Sequence, residues 1–124
     1  MIPRVQITII VVAAVFFLGM GLYALVAPAA LARPFRILVN APESRSEIRA
    51  VYGGFGLAIA AVLTFAAIDD GIRQGVVVTV AAALAGMALG RLVSRLADGP
   101  TAFYPIWFYF WVEAVMAALL FAVA

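Results

Sequence analysis

The sequence predicts an all-α polytopic membrane protein, a four-helix transmembrane bundle, on three observations. Of its 124 residues, 68% are hydrophobic and only 11% charged, with a mean hydropathy of +1.19. Globular domains hold roughly 45–50% apolar and about 25% charged residues, and a small soluble domain cannot hide so much apolar surface behind so few charges. The apolar residues also fall into four runs, each close to the roughly 20 residues a helix needs to cross the hydrocarbon. Between the runs stand the helix-stopping residues, Pro28, Pro34 and Pro42, then Asp69-Asp70-Gly71, then Asp98-Gly99-Pro100. The length fits one domain, residues 1–124, with spans near 5–27, 47–68, 74–97 and 102–124 and an interfacial loop over 28–46.

The first span is broken only by Gln6, Thr8 and Tyr23. It is longer than the ~7–15 residues of a signal-peptide core, so an uncleaved helix is expected. In the loop that follows, Phe35, Ile37, Leu38 and Val39 are too apolar for a free connection, which places the segment in the interface. Ser46 is the expected cap of the second span, with Glu47 in its first turn. Arg49, Gly53, Gly56 and Ala60 share one face of that helix. Asp69 to Arg73 reads as a tight polar turn that forces antiparallel neighbours. In the third span, Ala82, Gly86, Gly90 and Ser94 recur every fourth residue, a stripe that lets another backbone approach closely. Gly53, Gly56, Gly86 and Gly90 are the expected helix-packing positions, the last two within the bundle or, alternatively, between copies. The fourth span opens on aromatics from Phe103 to Trp111. An interfacial belt accounts for the first turn of these but not for rings about 15 Å along the helix.

Four spans put both termini and the Asp69–Arg73 turn on one side, with Arg4 and Arg73. Arg33, Arg36, Arg45 and Arg95 gather on the other, which the positive-inside rule assigns to the cytoplasm, leaving both termini outside.

The chain has no Cys and no His, which excludes disulfides, thiolate chemistry and His-ligated metals or haem, so no metal and no cofactor are expected. A net charge of +2, carried by dispersed arginines, does not fit nucleic acid. Glu113 is the one acidic residue well inside a span, roughly 18 Å into the fourth, and Arg91 lies roughly 12 Å up the third. The third and fourth spans are joined by a short turn, so an Arg91–Glu113 pair is the simplest neutralisation of both. Arg49 enters from the same side and is expected to join; Arg45, Glu47, Arg95 and Asp98 form an expected rim. Two readings of this cluster stand side by side. It fixes helix packing, or it marks a binding site in which Arg49, Arg91 and Arg95 receive an anionic headgroup while Trp107, Phe110 and Trp111 flank its apolar part, with Tyr52 and Glu113 as further candidate ligand-binding residues.

The residues that organise the chain also carry a resemblance. Ser46-Glu47-Ile48-Arg49, Tyr52-Gly53-Gly54-Phe55-Gly56-Leu57, Gly90-Arg91-Leu92-Val93-Ser94, Asp98-Gly99-Pro100 and Glu113 together resemble a bacterial family of small four-span proteins, domain of unknown function 4345. The pattern extends from roughly Glu43 to the C-terminus. It implies a four-helix membrane fold and no settled activity, and it puts the protein in a bacterial inner membrane.

The favoured function is accordingly non-enzymatic, an accessory or structural subunit whose partners are membrane lipids and either a larger membrane protein or further copies of itself. The alternative is binding or transport of an anionic amphiphile, such as a lipid or quinone-like molecule, at the Arg/Glu cluster. An enzyme is the least favoured reading, since acid–base work would fall on Glu113 or Tyr52 alone and no catalytic constellation surrounds them.

Overall fold

The computed structural model describes residues 2–124, with Ile2 described by its backbone only. Four helical stretches, Pro3–Val26, Pro42–Ile68, Asp70–Asp98 and Phe103–Val123, are long and apolar enough to cross a membrane, and the described residues include no strand. The elements are α1 (Ile2–Val26), α2 (Pro28–Ala32), α3 (Pro42–Ile48), α4 (Phe55–Ile68), α5 (Asp70–Asp98) and α6 (Phe108–Val123). A π-helical segment, Arg49–Gly54, joins α3 to α4 without a break, and a second, Phe103–Trp107, leads into α6.

Helix ends lie where capping chemistry puts them, and this shifts two expected helix starts. The second span begins at Pro42 rather than at 47. Pro42 occupies the first helical position, where its missing N–H is no loss. Ser44 rather than Ser46 does the capping: its Oγ accepts from the Ala41 N–H at 3.1 Å and donates to the Ala41 carbonyl at 3.0 Å. The interfacial connection is therefore shorter than 28–46, and it is folded. It holds α2, a 3-10 turn at Arg33–Phe35, and a reversal at Arg36, whose φ is +58°. The third span begins at Asp70 rather than at 74. Asp69 accepts from the Gly71 N–H at 2.8 Å, so the polar turn is the first turn of the helix and one residue makes the connection. At the other end α5 stops as expected, with Gly99 at φ +89° and its N–H on the Arg95 carbonyl at 3.0 Å.

The spans pack in a closed square, α1 beside α4, α4 beside α5, α5 beside α6 and α6 back against α1. Ile10 and Phe17 from α1, Leu63 from α4, Val77 and Leu84 from α5 and Leu120 from α6 meet in one core. Large apolar side chains such as Val15, Leu22, Phe65 and Leu89 point outward, as expected of surfaces that face hydrocarbon. The threonine hydroxyls in the spans bond to the carbonyl one turn back, Thr8 to Arg4, Thr64 to Ala60 and Thr79 to Gly75, so these three need no solvent partner.

The closest backbone approach is between α1 and the second span. A Cβ at Gly21 would lie 2.9 Å from the Gly53 oxygen and 2.9 Å from the Leu57 nitrogen; one at Gly56 would lie 3.0 Å from the Gly21 Cα. Gly53 and Gly56 are thus contact glycines, and Gly21 is their partner on α1. The expectation that Gly86 and Gly90 pack within the bundle is corrected: a Cβ on either meets nothing within 4 Å. The reason is rotational. α5 turns Val77, Val80, Ala81, Leu84 and Ala88 to the core, and the Ala82–Gly86–Gly90–Ser94 face comes out exposed.

Candidate functional site

Arg91 and Glu113 face each other across α5 and α6. Arg91 Nε donates to Glu113 Oε1 and Arg91 Nη2 to Oε2, both at 2.8 Å, a bidentate fork on a planar carboxylate. The Glu113 side chain is 2% exposed and that of Arg91 20%. The sequence dictates this locally. Antiparallel helices joined by a short turn bring residues at matching depth together, and an extended guanidinium covers the remaining offset. Among the described residues no buried side-chain nitrogen or oxygen lacks a hydrogen-bond partner.

Two rings flank the guanidinium, and they are not the expected ones. Phe35 and Tyr109 each have their centroid 5.9 Å from Arg91 Cζ, and the two rings are 5.6 Å apart. Tyr109 lies one turn before Glu113 on α6, a spacing that places both on one face. Phe35 arrives from the folded connection. Its signal in the sequence is an aromatic residue in an Arg- and Pro-rich loop too apolar to be free.

The rest of the expected cluster disperses. Arg49 does not join Arg91 and Glu113; its Nε donates to the Leu25 carbonyl at 3.0 Å, capping the end of α1. The last carbonyls of a helix have no partner within it, and Arg49 supplies one from the second span. Trp111 is 55% exposed and points away from the bundle. Trp107 packs edge-on against Phe110, and Phe110 against Trp111, each pair at 5.2 Å. Tyr52 is exposed on the π segment, with no side-chain hydrogen bond among the described residues. Glu47, Arg95 and Asp98 are exposed, Arg45 is half-buried, and none of the four forms an ion pair among the described residues, so they build no closed rim.

A second polar assembly lies at the opposite end of the bundle, and sequence reasoning missed it. Arg73 Nε donates to the Ala66 carbonyl at 2.8 Å and Nη2 to Ala67 at 3.1 Å, closing the end of α4. Its Nη1 pairs with Asp70 at 2.8 Å and reaches the Gln6 oxygen at 3.4 Å, while Gln6 Nε2 donates to the Val123 carbonyl at 2.6 Å. One arginine and one glutamine tie all four spans together. The available signal was Gln6, a polar residue inside an apolar run.

The family model described as Domain of unknown function (DUF4345) matches residues 5–124. The chain belongs to this family. No curated protein and no solved structure matches it. For this DUF4345 member, then, the fold is a helical bundle with membrane-span-like helices. Chemically, the Arg91–Glu113 fork is a neutralised unit. Both carboxylate oxygens of Glu113 accept from Arg91.

Proposed function

We propose that the chain is a non-enzymatic subunit of a bacterial inner membrane that packs through α5 against a transmembrane helix of another polypeptide, with both termini outside. One observation carries the reading, the bare small-residue face Ala82–Gly86–Gly90–Ser94 on the longest helix, where a Cβ at Gly86 or Gly90 would meet nothing. Between apolar helices in lipid there is no hydrophobic drive to associate, and small residues that let backbones close to contact distance supply the attraction instead. The glycines at 21, 53 and 56 are consumed by such contact inside the chain, whereas those at 86 and 90 are not. The closed Arg91–Glu113 fork supports the same reading, since the buried carboxylate serves to set the α5–α6 register.

The native chain has no Cys, which makes the test simple. Ser94→Cys, cross-linked in native membranes with a short bismaleimide, is expected to give a discrete adduct. Adding Gly86→Leu and Gly90→Leu removes it, and the adduct mass tells a second copy from a different protein. If Ser94→Cys gives no more adduct than Leu89→Cys on the lipid side, the reading fails.

A further inference from the structure

We propose that the recess between Arg45 and Arg49, at the start of the second span, is a binding site for a phosphate group at headgroup level. The recess is about 500 Å³ and is lined by Pro42, Arg45, Ser46, Arg49 and Ala50. These residues lie along one side of the start of the span, and neither Glu43 nor Glu47 is among them, so no carboxylate lines the recess. The two arginines are one turn apart, with Cβ atoms separated by about 5–6 Å, a spacing at which two guanidinium forks can straddle one tetrahedral anion. Ser46 also lines the recess and offers a hydroxyl donor.

The anchored side chain of Arg49 separates this site from the other exposed arginines at this end, which like Arg45 form no ion pair among the described residues. Arg49 is pre-set, because its Nε is held on the Leu25 carbonyl at 3.0 Å while its two terminal nitrogens have no hydrogen-bond partner among the described residues. Arg45 and Arg49 form no ion pair among the described residues, unlike Arg91 and Arg73. The π-helical segment begins at Arg49, a local widening of the kind frequent at functional sites. An anion entering the bundle at this end therefore meets Arg45 and Arg49 unopposed, whereas Arg91 is already closed by Glu113. The shared chemistry is a phosphate mono- or diester, and it has two sources, a membrane lipid or a free phosphate.

The test uses the full chain in nanodiscs of phosphatidylcholine with a minor fraction of phosphatidylglycerol, with retained lipid read by native mass spectrometry. Inorganic phosphate is titrated separately onto the chain in phosphatidylcholine alone. Arg45→Gln is the decisive variant, since Arg45 caps nothing; Arg49→Gln is read beside its unfolding temperature because it also frees the Leu25 carbonyl. Arg95→Gln serves as the control for a charge at the same end outside the recess. Retained phosphatidylglycerol that falls about tenfold in Arg45→Gln and Arg49→Gln but not in Arg95→Gln supports the site with a lipid source. Saturable inorganic phosphate binding with the same variant pattern supports it with a free source. Equal losses in all three variants, or no saturable binding of either probe, overturn it.

Discussion

Glu113 is the residue whose environment leaves it least choice. It is buried to 2% exposure, and both of its oxygens are taken by Arg91. Removing one member of such a pair typically costs about 3–5 kcal/mol, because the other is left charged and unpaired in a low-dielectric setting. Arg91 keeps some freedom, being one-fifth exposed and long enough to turn its head toward the interface. Glu113→Gln is therefore expected to fall at or just below the bottom of that range, about 2–3 kcal/mol in a reversible detergent titration. Arg91→Gln added to it should cost less than its own separate loss, by a coupling of roughly 1–3 kcal/mol. Losses that add to within about 0.5 kcal/mol would mean the two side chains do not support each other. This pair was legible from sequence because each charge needs a partner and the turn between the helices is short. Phe35 and Tyr109 were not legible as flanking rings, since the path of the connection depends on the reversal at Arg36, where a non-glycine residue takes a positive φ. Arg49 misled for a different reason. It enters from the same side as Arg91, but its guanidinium bonds to the Leu25 carbonyl at the end of α1, a partner that the charge pattern does not reveal.

At the scale of elements, two glycine stripes that look alike in sequence differ in what they meet. A Cβ at Gly21 collides with backbone on the second span, and backbone cannot rotate aside as a side chain can. Gly21→Ala should therefore separate α1 from α4 and cost about 1–3 kcal/mol, the usual range for overpacking a tight contact. Gly86→Ala places its methyl in open space and should leave the thermal unfolding of the detergent-solubilised monomer unchanged or slightly raised. If the two variants unfold alike, the difference between the contact face and the bare face is not energetic. Spacing alone marks both stripes, because it reports which residues share a face and not the direction in which that face is turned. Direction comes from the neighbouring positions: the buried Val77, Val80, Leu84 and Ala88 fix the rotation of α5. Helix starts were misjudged by four or five residues for a related reason. Ser44 and Asp69 act through local hydrogen bonds that hydropathy does not register.

For the whole molecule, the open matter is which way the square of helices stands in the membrane, and the bundle is polar enough at its two ends to decide it. Gln6, Arg73 and the Val123 carbonyl are gathered at one end, which also holds both termini. Arg33, Arg36, Arg45 and Arg95 belong to the other, where the folded connection and the end of α5 lie. Each arginine near an anionic cytoplasmic leaflet is worth about 1 kcal/mol, so the difference between four and two amounts to roughly 2 kcal/mol, a bias of more than tenfold in favour of one orientation. That bias predicts a labelling pattern. Leu38→Cys, 81% exposed on the connection, should resist a membrane-impermeant maleimide added to intact cells and react only after the membrane is opened. Ala124→Cys, at the other end of the bundle, should react at once. Equal labelling of both sites from outside would indicate a mixture of orientations and an arginine difference too weak to choose. Full labelling at Leu38→Cys with protection at Ala124→Cys would invert the topology and place the Arg45–Arg49 recess on the outer leaflet.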